Sequence, residues 1–164
     1  MSRLDSFIRR LEAQRACLDM AAQAIRSLPG VVFELGLGNG RTYDHLRKCL
    51  PERDIFVFER EVRAHPDCIP DDDHLILGDL KATLPSILPR FSEGVVLVHS
   101  DIGTGDAERN QRLAAWIAAT IPGFLIPGAW IVADQALNTP NLVPQALPEG
   151  IASDRYFVYR KAIT

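Results

Sequence analysis

Val31-Val32-Phe33-Glu34-Leu35-Gly36-Leu37-Gly38-Asn39-Gly40-Arg41-Thr42-Tyr43 decides how the rest of the chain is read. Val31 to Leu35, apolar except for Glu34, reads as a buried strand, and a helix starts just past Gly40. Between them stand three glycines at alternate positions. Glycine lets the backbone take φ > 0 and approach a ligand with no Cβ in the way, and the helix start beyond it offers unpaired N–H groups. Glu34 narrows the ligand. A pyrophosphate at this helix N-terminus is disfavoured by a carboxylate beside it, whereas a ligand carrying an ammonium group or hydroxyls gains from one.

Upstream of the turn, Leu4, Ile8, Leu11, Leu18, Ala22 and Ile25 recur at helical spacing, which predicts a long amphipathic helix over about 3–27, closed by Pro29-Gly30. Arg15 interrupts its apolar stripe and reads as a side chain laying its stem along the surface. Downstream, strands are expected at Ile55–Glu59, His74–Leu77, Val95–His99 and Ala129–Ala133, and helices at Thr42–Leu50, Leu80–Leu88 and Ala107–Ile121. Apolar strands alternating with helices indicate a parallel sheet covered on both faces. Past Asp134, Pro140, Pro144 and Pro148 leave no room for a helix, and Leu142–Leu147 with Tyr156–Lys161 read as a final extended pair, Tyr156 and Tyr159 being sheet residues. The 164 residues fit one domain, divided into an N-terminal helix (1–29), a ligand-binding core (30–134) and a C-terminal hairpin (135–164).

Net charge −3 and a pI near 5.8 give no electrostatic reason to expect nucleic acid. Cys17, Cys49 and Cys68 are odd in number, contain no CxxC pair, and read as reduced thiols that behave as small apolar residues. With no signal-like or membrane-length apolar run, the sequence predicts a soluble cytoplasmic protein.

In an open parallel sheet, ligands collect at the carboxyl ends of the strands where strand order reverses. The residues there are Glu34–Gly40, Glu59, Gly78-Asp79, His99-Ser100-Asp101 and Asp134-Gln135, so every predicted core strand ends near an acid. Glu59 lies 19 residues past Gly40, where an acid can accept from both hydroxyls of a ribose. A nicotinamide dinucleotide also fits that spacing, but Arg41 stands where the GxGxxG fingerprint needs Gly or Ala.

Glu34-Leu35-Gly36-Leu37-Gly38-Asn39-Gly40 resembles the ExGxGxG motif of class I S-adenosylmethionine-dependent methyltransferases. The similarity extends to Glu59, Gly78-Asp79 and Leu125-Ile126-Pro127-Gly128-Ala129, over about residues 30–134. It implies a three-layer α/β/α sandwich: a mostly parallel seven-stranded sheet with an antiparallel last strand, here preceded by the long N-terminal helix. It also implies S-adenosylmethionine as cofactor. Gly36, Gly38, Asn39 and Gly40 would admit its methionine part, Glu34 would sit near its ammonium, and Glu59 would hold the ribose hydroxyls. Asp79, with Gly78, would accept from the adenine amino group, Leu80 would lie against the ring, and Ser100 or Asp101 would floor the methionine chain.

The reaction so implied is methyl transfer to an unidentified, small-molecule acceptor, with a non-catalytic S-adenosylmethionine-binding module as the alternative. His99 and Asp101, at the end of the fourth strand, are the catalytic candidates. Ile131-Val132-Ala133-Asp134-Gln135 is similar to an element of the metal-dependent catechol and caffeoyl-CoA O-methyltransferases. Gln135 replaces their Asn, however, and His99-Ser100-Asp101 departs from their Asp-x-Asp, so no metal ligand is assigned. The short segment after Asp134 offers no cover for the acceptor, which suggests a homo-oligomer whose neighbouring subunit closes the site.

Overall fold

A computed structural model describes residues 1–163. Their strands form one seven-stranded sheet in the order β3-β2-β1-β4-β5-β7-β6. These are β1 (Val31–Leu35), β2 (Ile55–Glu59), β3 (Leu75–Leu77), β4 (Val95–Ser100), β5 (Leu125–Ala133), β6 (Leu142–Pro144) and β7 (Phe157–Lys161). Because β1 pairs in parallel with both β2 and β4, strand order reverses there and a crevice opens at the carboxyl ends of β1 and β4. The last strand, β7, runs antiparallel to both of its neighbours, as expected.

Helices α1 (Arg3–Ala24) and α2 (Arg41–Cys49) cover one face of the sheet. The other face packs under α3 (Leu80–Ser86), α4 (Leu88–Phe91) and α5 (Ala107–Thr120). Side chains alternate along a strand, so Phe33 and Leu35 of β1 join the α3–α5 layer while Val32 joins the α1–α2 layer. Phe33 meets Phe58, Phe91 and Phe124 edge-on, with ring centroids 5.0, 5.3 and 5.5 Å away. The same alternation turns the carboxylate of Glu34 toward α1 and α2, and the whole site depends on this.

Helix α1 starts on a capping box, Ser2 with Asp5, and ends three residues before the sequence expectation. The guanidinium of Arg53 donates to the carbonyls of Ile25, Leu28 and Gly30 beyond it, giving partners to groups a longer helix would have bonded itself. The helix expected over Leu80–Leu88 divides in two, because Pro85 lies inside α3 and Pro89 opens α4. Strand β5 starts at Leu125 rather than Ala129, its register against β4 slipping between Val95 and Leu97. Gly128 at φ +81° turns the chain within that irregularity.

Candidate active site

The three glycines of the turn are needed for different reasons. A Cβ at Gly36 would lie 2.5 Å from Ile102 Cγ2, and one at Gly40 would lie 2.5 Å from Cys68 Cβ. One at Gly38 would meet nothing within 4 Å. Gly36 and Gly40 let the turn pack against protein, and Gly38 leaves the backbone open for something outside it. The carboxylate of Glu59 braces the same turn: Oε2 accepts from the N–H of Leu37 (2.8 Å) and Gly38 (3.1 Å), and Oε1 from the N–H of Arg60 (2.7 Å) and Glu61 (3.3 Å). Burial pushes this acid up, but the four amides outweigh it and hold Glu59 below the usual carboxylate range.

On the β2–β3 side of the turn lies a cavity of about 750 Å³, lined by Gly38, Glu59, Gly78, Asp79, Leu80 and Ile102 among others. Asp79 caps α3, its Oδ1 accepting from Lys81 N (2.9 Å), and its Oδ2 pairs with Arg60 (3.0 Å). The capping function and the place at the cavity wall thus coincide in one residue.

The β1–β4 side is closed by a hydrogen-bonded chain of side chains. Glu34 is 1% exposed; it accepts from Thr42 Oγ1 (2.6 Å), and His99 Nδ1 lies 2.9 Å from both of its oxygens. Parallel register sets Glu34 beside His99, so the two meet inside the sheet. Nε2 of His99 faces the hydroxyl of Tyr156 at 3.4 Å. Gln14 of α1 spends its amide on that hydroxyl (2.7 Å) and on Asp101 Oδ2 (2.5 Å), while Arg10 pairs with Asp101 Oδ1 (2.6 Å). Burial alone would lower His99, but the Glu34 carboxylate outweighs it and holds the imidazole above its ordinary value. Burial first, then Asp101, raises Tyr156, so its hydroxyl keeps its proton. Above this chain is a smaller cavity of about 190 Å³, roofed by Phe7, Arg10, Leu11 and Gln14 of α1 and floored by Glu34, Gly36 and Gly38.

The sequence-predicted residues divide between cavity walls and the protein interior. Gly36, Gly38 and Asn39 line both cavities, Glu59, Gly78, Asp79 and Leu80 the large one, and Glu34 and Asp101 the small one. Gly40 faces Cys68 and Ala64 instead, and serves α2 as its N-cap in a left-handed conformation. Ser100 is 3% exposed and lies under the far side of β4. His99 is 0% exposed with both ring nitrogens engaged. A general base must come within hydrogen-bond reach of the proton it takes. In this arrangement His99 is a buried partner of Glu34, away from the rim where the sequence reading set it.

Four side chains escaped the sequence reading: Arg10, Gln14, Thr42 and Tyr156. Thr42, eight residues past Glu34, opens α2 and was the one within reach of local reasoning. Another polar atom stands apart. Oδ1 of Asp134 is buried with no hydrogen-bond partner among the described residues, while its Oδ2 accepts from Gly103 N (2.9 Å). Burial and then the charge of Asp101 raise Asp134 above its ordinary value.

The match to known proteins agrees with this geometry. A family model described as S-adenosyl-L-methionine methyltransferase matches residues 1–161. The chain belongs to this family. Its cofactor is S-adenosylmethionine, and the open backbone at Gly38, the anionic Glu59 and the 750 Å³ cavity give a nucleoside of that size a fitting cradle. No curated protein matches the sequence. Among solved structures, the methyltransferase is similar to an S-adenosyl-L-methionine methyl transferase from Silicibacter pomeroyi DSS-3, with 45% identity, 99% of each chain covered and a TM-score of 0.94. The S-adenosylhomocysteine-bound methyltransferase PaMTH1 of Podospora anserina shares the fold at 15% identity, covering 98% of this chain and 79% of that one with a TM-score of 0.54. MycE of the mycinamycin biosynthetic pathway, solved with Mg and S-adenosylhomocysteine, shares it at 14% identity, over 88% of this chain and 45% of that one, with a TM-score of 0.53. No helix among the described residues is long and apolar enough to cross a membrane.

Proposed function

We propose that this enzyme methylates a small molecule, with its cofactor divided between the two cavities that flank the glycine turn. The observation that carries the reading is the contrast in their chemistry. The large cavity offers a fixed carboxylate, Glu59, to ribose hydroxyls, with Asp79 and Leu80 placed for an adenine. The small cavity offers a cation and an anion side by side, Arg10 and Asp101. An α-amino acid carries a carboxylate and an ammonium on one carbon, and this pair can trade its mutual bond for one with each. Glu34 then acts from below, fixing Thr42 and His99 beneath the cavity floor.

When bound, the sulfonium supplies a methyl group for in-line displacement by the acceptor's nucleophile. The protein's part is position, desolvation and removal of any proton the nucleophile carries. Both oxygens of Asp101 are held by Arg10 and Gln14, so Asp101 orients and does not accept the acceptor's proton. Asp134 is the remaining candidate base: its raised pKa makes it more basic than a surface carboxylate, and its buried, unpartnered Oδ1 takes the proton once acceptor binding uncovers it. Beyond β5, Asp134, Gln135, Asn138 and Phe157 line a cavity of about 650 Å³, a volume suited to a small acceptor.

Met1 and the first turns of α1, with Leu4, Phe7 and Ile8, expose an apolar surface that a second copy of the chain would cover. Light scattering across a range of concentrations tests that homo-oligomer. For the acceptor, methyl-labelled S-adenosylmethionine with a panel of phenols, amines, thiols and carboxylates should label one class. The Asp134→Asn variant should lower kcat on that class with KM little changed. Turnover of protein or nucleic acid alone would overturn the small-molecule reading, and binding of cofactor with no turnover of any class would favour the non-catalytic module.

A further inference from the structure

Asp19, His45 and Cys49 take no part in the site above. They stand where α1 crosses α2: Asp19 is nine residues past Arg10 along α1, roughly 13 Å at 1.5 Å per residue, and His45 and Cys49 are five and nine residues past Gly40 along α2. His45 and Cys49 are four apart on α2 and so share one face of that helix. Their donor atoms converge. Asp19 Oδ1 lies 2.7 Å from His45 Nε2, and Cys49 Sγ lies 3.5 Å from both Asp19 Oδ1 and His45 Nε2. In a relay of nucleophile, base and orienting acid, thiol and carboxylate would hold opposite nitrogens of the ring. Here both meet Nε2, so the three atoms point at one shared position and not along a line.

We propose that Asp19, His45 and Cys49 form a site for a zinc-class divalent cation that clamps α1 to α2. Thiolate, imidazole and carboxylate together suit Zn²⁺. With Zn–N and Zn–O near 2.0 Å and Zn–S near 2.3 Å, the ligand atoms of a tetrahedral ion stand about 3.3–3.6 Å apart. Both contacts of Cys49 Sγ already have that spacing, and only the Asp19–His45 contact must open, by about 0.6 Å. Each of the three side chains is at least partly open to solvent, which leaves a way in and a fourth position for water. The free thiol carries a proton that the bound thiolate does not, so binding releases it: Zn²⁺ with the Asp19 carboxylate, the His45 imidazole and the Cys49 thiol gives a neutral complex and one H⁺.

The clamp has work to do at this junction. Between α1 and α2, a cavity of about 370 Å³ lined by Leu11, Arg15, Leu18, Arg41 and His45 separates the two helices near the turn. A bond at the far end would hold α1, and with it Arg10 and Gln14, in place over the small cavity. That consequence rests on the cofactor reading above, but metal binding itself does not.

Titration of the full-length protein with Co²⁺ under reducing conditions tests the site. A thiolate-to-cobalt charge-transfer band should appear at one equivalent and disappear on adding Zn²⁺. It should be absent in Cys49→Ser, weakened at least tenfold in affinity in Asp19→Asn, and unchanged in Cys68→Ser, with circular dichroism confirming that each variant folds. Zn²⁺ at a hundredfold excess over its Kd should raise the wild-type Tm by roughly 5–10 °C and leave Cys49→Ser unmoved. A wild-type protein with no such band, or a band surviving in Cys49→Ser, overturns the proposal. Because neither readout uses the cofactor, failure here leaves the methyltransferase reading intact.

Discussion

The two sides of the glycine turn solve different problems with similar residues. On the β2–β3 side, Glu59 and Asp79 stand at the wall of a large cavity, and their partners are backbone amides and an exposed arginine. On the β1–β4 side, Glu34 and Asp101 are tied into a chain of side chains that ends on α1. The first side keeps its carboxylates at an open wall, held by backbone amides and one surface arginine. The second stores its polarity in a buried network, and only its outermost pair, Arg10 and Asp101, is free to exchange partners. The same residue type thus faces a cavity at one strand end and is locked into a buried network at the next.

That difference can be broken by mutation, and the largest effect should fall on the closed side. Glu34→Ala leaves His99 buried without its counter-charge and should cost about 3–5 kcal/mol of stability, roughly 10 °C in Tm by calorimetry. A loss below about 1 kcal/mol would mean that the network is not structural.

Next come the glycines. Gly40→Ala faces both a left-handed φ of +85° and a clash with Cys68, and should cost about 3 kcal/mol. Gly38→Ala meets open space at φ +54° and should cost only about 1 kcal/mol while weakening cofactor binding at least tenfold. Denaturant melts and titration with S-adenosylhomocysteine on the two variants separate packing from ligand access. Reversed outcomes would exchange the roles of the two positions.

On the open side, Glu59→Ala should weaken S-adenosylhomocysteine on the order of 100-fold, since two hydrogen bonds to a charged group are lost. Its Tm without ligand should fall as well, by roughly 5 °C or more, because the amides of Leu37, Gly38, Arg60 and Glu61 lose their acceptor. The smallest effect is in pH. His99 is raised in the fold above its ordinary 6.5, so its pairing with Glu34 stabilises fully below about pH 6.5 and is lost as pH rises through the raised value. The Tm difference between wild type and His99→Gln should therefore shrink from pH 6 toward alkaline pH. A difference that grows would contradict the ion pair.

Which side was legible in the sequence follows from the range of its contacts. Strand ends, the glycine spacing and the step from Gly40 to Glu59 are local features, and they led to the sheet, its order of elements and the lining of the large cavity. The closed side is made of contacts across 65, 87, 91 and 142 residues. No pattern within α1 marks Arg10 or Gln14 as different from its other polar residues. His99 shows the same limit: its place at a strand end was legible, but its face of the sheet depends on the register between β1 and β4. Segment ends were misjudged where another part of the chain intervened, as Arg53 does beyond α1.

The central claim is that one cofactor spans both sides, and a crystal structure with S-adenosylhomocysteine tests it most directly. The account predicts the ribose hydroxyls on Glu59, the adenine beside Asp79 and Leu80, and the amino-acid end inserted between Arg10 and Asp101 with their mutual bond broken. An Arg10–Asp101 pair left intact, with the amino-acid end lying elsewhere, would contradict it.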